Sequence, residues 1–242
     1  MIVPMNTRSG FSPKDIKENG VSLLVPARNE EATVAHVVNT VSSSIYVKEV
    51  LVIDNLSTDN TASLAKSSGA RVIECSEIGV GNAMRVGISN AMSPWILRFD
   101  ADIRNPQREW IDYLVTKANS SNGNSAFVKA CWPPTEEDPD IVTNTVAIPG
   151  LKKMFSISDV KSPLSGIYLF HRSICENEQL VPDYAIDIQI LLLAHKKSPE
   201  TLQVELPSIY HARRDLNHYF RMAEQILNFL VETHQKRDIN HV

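Results

Sequence analysis

Nowhere in this chain of 242 residues does an apolar run approach the roughly 20 residues that a membrane-spanning helix needs. The first twenty residues include Pro4, Pro13, Lys14, Asp15, Lys17 and Glu18, so the apolar core of a signal peptide is missing as well. Both absences predict a soluble, cytoplasmic protein. There is no dense block of lysine and arginine, and the formal net charge is −4, which argues against nucleic acid as a partner. Cysteine is scarce: Cys75, Cys131 and Cys175 are odd in number and scattered, with no Cys-x-x-Cys pair for zinc or redox work. Glycine is missing between Val25 and Thr33, where a dinucleotide-binding or pyrophosphorylase loop would need it; Gly79-Val80-Gly81 comes later and runs on as Asn82-Ala83-Met84.

What is present is enough apolar residue, 43%, to bury a substantial core in one compact unit. Val21-Ser22-Leu23-Leu24-Val25 reads as a buried strand stopped by Pro26, and Asn29-Glu30-Glu31 opens a helix over 29–41, because Asn caps well and acids suit a helix N-terminus. Val50-Leu51-Val52-Ile53-Asp54 repeats the strand pattern, and a polar loop, 55–61, leads to a second helix ending near Ser68. A short strand over 71–74 and a third helix opening at 79–85 carry the chain to Trp95. This alternation predicts an α/β fold with a doubly wound, mostly parallel sheet, whose ligands bind outside the carboxyl ends of the strands. Further on, the pattern predicts helices over 109–118, 183–195 and 216–236, and strands over 126–130, 165–170 and 202–205. It also predicts an exposed, mobile connection over 132–140 and a helix over 141–155 interrupted near Pro149-Gly150.

The centre of the chain is Trp95-Ile96-Leu97-Arg98-Phe99-Asp100-Ala101-Asp102, an apolar run that ends in two carboxylates one small residue apart. In extended chain alternate side chains share a face, so Asp100 and Asp102 can address one ligand. Two such charges side by side repel, and a divalent cation with hard-oxygen preference, Mg²⁺ or Mn²⁺, relieves them. Taken in isolation, the same pair also reads as a strand end and a turn cap.

The flanking motifs decide between these readings. Val25-Pro26-Ala27-Arg28-Asn29-Glu30-Glu31, Val52-Ile53-Asp54 with Ser57-Thr58-Asp59-Asn60-Thr61, and Phe99-Asp100-Ala101-Asp102 together resemble the family-two-like glycosyltransferases of the GT-A fold, over roughly residues 20–105. The resemblance implies a GT-A fold with a Rossmann-like nucleotide-binding half and a nucleotide-sugar donor, UDP-glucose-like. It implies Pro26, Ala27, Arg28 and Glu30 near base and ribose, Asp54 near the base, and Gly79, Gly81, Asp100 and Ala101 along the donor. It also implies Asp100 and Asp102 on Mn²⁺ or Mg²⁺.

Ser162-Pro163-Leu164-Ser165-Gly166, Tyr184-Ala185-Ile186-Asp187-Ile188 and His211-Ala212-Arg213-Arg214 with the following 222–227 look like the glucosyl-3-phosphoglycerate synthase branch, a retaining one. That implies His211 as a further metal ligand, Arg213 or Arg214 at the diphosphate, and Thr143, Ser165, Gly166 and Asp187 around a small hydroxyl acceptor. On this reading residues 1–242 are one catalytic domain, with the donor half in 20–105 and the acceptor half in 106–242. Two departures stand out. The branch's Gly-Lys-Gly is Gly79-Val80-Gly81 here, and its Gly-Arg-Val-Thr is Asp140-Ile141-Val142-Thr143, so two phosphate-facing cations are replaced by Val80 and Ile141. Asp187 interrupts an apolar stretch, where a carboxylate costs desolvation unless it has a task. In an inverting enzyme it would be the general base, and in a retaining one it would orient the acceptor. A donor-binding protein without turnover remains the alternative, and a homodimer is compatible with the sequence.

Overall fold

A computed structural model of the chain describes residue 16 and residues 18–121, 125–135, 140–197, 201–211 and 214–239. Arg213 and part of the 132–140 connection, residues 136–139, lie outside the described residues. The strands are β1 (Val21–Ala27), β2 (Val47–Asp54), β3 (Arg71–Glu74), β4 (Trp95–Arg98), β5 (Phe127–Cys131), β6 (Tyr168–His171) and β7 (Leu202–Glu205). They form one sheet in the order β3-β2-β1-β4-β6-β5-β7. Only β6 runs against its neighbours; β1, β2, β3 and β4 are mutually parallel, and so are β5 and β7.

The helices are α1 (Val34–Val41), α2 (Thr61–Ser67), α3 (Val80–Asn90), α4 (Glu109–Ser120), α5 (Ile148–Phe155), α6 (Ile186–Lys197) and α7 (Leu216–Ile239). Strand periodicity sends alternate residues of β1 into different cores. Leu23 and Val25 pack with Val37 of α1, Ala65 of α2 and Trp110 of α4, while Leu24 packs with Met84 of α3, Ile190 of α6 and Leu230 of α7. A strand buried on both faces must read as a nearly continuous apolar run, which is why these strands were legible.

Several boundaries differ from the sequence reading, each for a local reason. Pro26 does not stop β1, which continues to Ala27 opposite Asp54. Pairing with β4 has ended at Leu24, so the missing proline N–H falls where no ladder partner stands. The first helix begins at Val34 rather than near Asn29, which has φ +56°, a left-handed conformation that asparagine tolerates. The break in 141–155 lies in a π-helical turn, Thr143–Ala147; Pro149 sits in the first turn of α5, where its lack of an N–H costs nothing. β4 ends at Arg98, so Asp100 and Asp102 are carried by a turn and not by strand alternation. Among the described residues no helix is long and apolar enough to cross a membrane. The three cysteines are buried free thiols, and burial pushes Cys175 up to about 12.

Candidate active site

The parallel strands β1, β2 and β4 all deliver their carboxyl ends to one edge, and two polar loops interlock there. Asn29 donates its backbone N–H to Ser57 Oγ (3.0 Å) and accepts at Oδ1 from Thr58 N–H (2.8 Å). Glu30 N–H donates to Thr61 Oγ1 (2.7 Å), and Glu31 Oε2 accepts from Asn60 N–H (3.1 Å). The 57–61 motif thus has a physical task beyond capping: it holds the 28–31 loop so that Arg28 and Glu30 line a cavity of about 690 Å³. Asn55 continues the brace, accepting from Gly79 N–H (2.8 Å) at its side-chain oxygen.

Asp100, Asp102 and His211 offer ligand atoms that all lie within 4.8 Å of one another at the same edge. His211 comes from 109 residues beyond Asp102, and a splint brings it in. Ile103 and His211 form an antiparallel bridge, Arg104 N–H donates to Tyr210 O (2.8 Å), and Asn105 bonds both Ser208 O and Tyr210 N–H. His211 Nδ1 stands 3.2 Å from Asp102 Oδ1, while Arg214 donates to Asp102 Oδ2 (3.0 Å) and to Glu30 Oε1. Burial alone would raise the Asp102 carboxyl, but the His211 bond and the charges of His211 and Arg214 bring it below its ordinary value. Glu30 goes the other way: burial outweighs its Arg214 bond and the nearby Asp102 and Asp100 add repulsion, so its carboxyl is raised. Two carboxylate oxygens and an imidazole at this spacing fit Mn²⁺ or Mg²⁺.

On the other wall, Asp187 at the start of α6 is buried, accepting at Oδ1 from Tyr168 Oη (2.9 Å) and from Arg98. Arg98 also donates to Asp100 (2.9 Å), so one guanidinium ties Asp100 to Asp187. Gly166 lies against Asp100: a Cβ built there would fall 1.8 Å from Asp100 Oδ2. The turn that carries it is anchored below by Ser165 Oγ donating to Ala130 O (2.7 Å) and Lys129 Nζ donating to Ser165 O (2.9 Å). Lys129 is fully buried, and burial, then the Arg98 charge, push its ammonium well below its usual range.

Of the residues expected at the site, Pro26, Ala27, Arg28, Glu30, Gly79, Asp100, Ala101, Asp102, Thr143, Ser165, Gly166, Asp187 and His211 line this one cavity. Asp54 and Gly81 do not. Gly81 packs instead against the backbone of residues 181–183, where an added Cβ would meet Val181 O at 2.0 Å, so its need for glycine is steric. Asp54 is buried at the end of β2, its Oδ1 without a partner among the described residues. Arg213 lies outside the described residues. Sequence reasoning missed Arg98, Lys129 and Tyr168. The signal for the first two was a cation inside an apolar strand, which is rarely buried without a partner.

The pattern of Glycosyl transferase family 2 matches residues 22–149. A glucosyl-3-phosphoglycerate synthase of Mycobacterium tuberculosis is 27% identical over 235 residues, spanning 87% of this chain and 72% of that protein. Its counterpart from Petrotoga mobilis is 27% identical over 258 residues, spanning 94% and 78%. A crystal structure of the M. tuberculosis synthase with Mn²⁺, UDP-glucose and phosphoglyceric acid superposes with a TM-score of 0.83 at 26% identity, covering 94% of this chain and 85% of that one.

Proposed function

Because the chain belongs to glycosyl transferase family 2, and is thereby a glycosyltransferase, we propose that it moves a sugar from a UDP-glucose-like donor to a hydroxyl of a small acceptor, with retention and with Mn²⁺ or Mg²⁺. The observation that carries this is the convergence of Asp100, Asp102 and His211 on one point of a cavity at the carboxyl edge of parallel strands. The relatives' UDP-glucose and Mn²⁺ complexes support the donor and the metal. On this reading the chain is one cytoplasmic catalytic domain, with its donor half in residues 20–105.

Breaking a sugar–diphosphate bond builds negative charge on the departing phosphate while the sugar becomes oxocarbenium-like, so charge stabilisation there lowers the barrier most. The cation held by Asp100, Asp102 and His211 would supply it. Arg214, bridging Glu30 and Asp102, stands beside these ligands as a further cation, and Arg213 joins it in the proposal by position. Arg28 and Glu30, with Pro26 and Ala27, border the base and ribose; Asp54, buried behind this wall at the end of β2, enters the proposal by resemblance alone. Gly79 borders the phosphates, and Gly81 supports it by allowing the 181–183 segment to close in.

Both bonds to Asp187 fall on Oδ1, which leaves Oδ2 for the acceptor hydroxyl. With its charge matched by Arg98, Asp187 orients that hydroxyl while its proton passes to the departing phosphate oxygen. Thr143, Ser165 and Gly166 border the acceptor, and Ile141 in place of an arginine makes 3-phosphoglycerate a poor one.

Thermal shift with UDP, GDP, ADP and CMP in the presence of Mn²⁺ tests the reading. A ligand at about 100 times its dissociation constant stabilises by about 2.7 kcal/mol. UDP should shift the transition and the others less. A shift without UDP release from UDP-glucose in any acceptor pool favours a binding protein without turnover, and no shift with any nucleotide ends the proposal.

A further inference from the structure

The cavity has a wall that neither the metal ligands nor the donor contacts use. Tyr184 lies three residues before Asp187, and its ring meets His218 at 5.1 Å and 66°. His218 in turn meets Tyr219 at 5.6 Å and 84°. All three line the cavity, with Gln225 beside them. Gln225 Oε1 accepts from Tyr184 N–H (3.4 Å), which leaves its amide NH₂ to donate. Burial, then the charges of Arg214 and Arg221, lower the His218 imidazole, so at neutral pH it presents an uncharged ring.

Charge in the cavity points the same way. Among the described residues that line it, four arginines face six carboxylates. A divalent cation offsets that excess, and a donor diphosphate restores it. An acceptor bearing a phosphate or carboxylate would therefore enter a negative site and meet repulsion in a partly enclosed medium, where charges are weakly screened. An aromatic wall with the Gln225 amide, the Asp183 and Asp187 carboxylates and the Arg214 and Arg221 guanidinium groups at its margin is suited instead to a ligand with C–H faces and hydroxyl edges.

We propose, resting on the glycosyl-transfer reading above, that the acceptor is an uncharged polyhydroxyl compound, a sugar or polyol, seated against Tyr184, His218 and Tyr219 with the reacting hydroxyl at Asp187. In the transfer, the donor's anomeric C–O bond to phosphate breaks, a C–O bond to the acceptor oxygen forms, and the acceptor's proton leaves with the nucleoside diphosphate. The product is a neutral glycoside.

The test uses the whole protein with Mn²⁺ and UDP-glucose. UDP release and glycoside formation are followed with glycerol, neutral hexoses and disaccharides beside glycerate and 3-phosphoglycerate. The expected result is transfer to at least one neutral compound with kcat/KM tenfold or more above either anion. Equal or better use of an anion overturns the proposal, as does UDP release that no neutral compound raises. In both outcomes the donor reading stands, whereas failure to bind UDP would sink that reading itself. A second arm compares Tyr184→Ala with Tyr184→Phe: the first should raise the acceptor KM at least tenfold with the donor KM unchanged, and the second should restore it. An unchanged acceptor KM in Tyr184→Ala also overturns the proposal.

Discussion

Arg98 and Asp187, 89 residues apart in sequence, form a buried ion pair in the wall of the cavity. A buried pair is worth little beside a well-packed apolar pair, but removing one partner strands the other. Arg98→Met should therefore cost about 3–5 kcal/mol in urea unfolding. The double variant Arg98→Met with Asp187→Leu should recover most of that loss. If the double variant is no more stable than the single one, the pair is not what holds Arg98 in place.

Asp102→Asn keeps the shape of the side chain and removes its charge. Apparent Mn²⁺ affinity, measured by calorimetric titration, should fall by at least about tenfold, and His211→Ala should do the same. Wild-type affinity in either variant removes that residue from the metal site.

Gly166→Ala places a methyl where the Asp100 carboxylate now lies, 1.8 Å from Oδ2. Asp100 must move, so Mn²⁺ affinity and turnover should drop together while the unfolding midpoint changes little, since the turn stays anchored by Lys129 and Ser165. A variant with full metal affinity would show that Asp100 has room to spare.

His218 is held below its ordinary value of 6.5 by burial and then by Arg214 and Arg221. The unfolded chain therefore takes up a proton first as pH falls. Stability associated with the neutral ring is complete above about 6.5 and is lost on descending toward the folded value. Between pH 7.5 and 5 the urea midpoint of wild type should fall more than that of His218→Gln. Parallel profiles would mean that His218 titrates alike in both states.

Ile141 is half exposed, so Ile141→Arg should fold normally. A charge-assisted contact is worth about 1.5–3 kcal/mol, enough to raise kcat/KM for 3-phosphoglycerate by about tenfold or more. No gain would show that an acceptor phosphate does not approach this turn.

The parallel half of the sheet was legible because β1, β4 and the second half of β2 are buried on both faces and are therefore nearly continuous apolar runs, while Asp54, Asp100 and the 57–61 loop mark their ends. The Asp100–Asp102 pair was legible for the same reason, although its geometry was not: a turn, not strand alternation, brings the two together. Two kinds of feature stayed hidden. The antiparallel course of β6 depends on its pairing with β4 and β5, which lie far away in sequence. The Arg98–Asp187–Tyr168 cluster joins three elements, and only the oddity of a cation in an apolar strand hinted at it.

The closeness of Gly79 and Gly81 to Val181 and Pro182 has a mechanical consequence. Backbone meets backbone there with less than the width of a methyl group between them, and Asn82 N–H is bonded to Pro182 O (3.1 Å). The start of α3 and the segment that leads to Asp187 are thus one piece of scaffolding. A ligand that tilts α3 must carry Asp187 with it, so this side of the cavity moves as a rigid frame rather than as a pair of jaws.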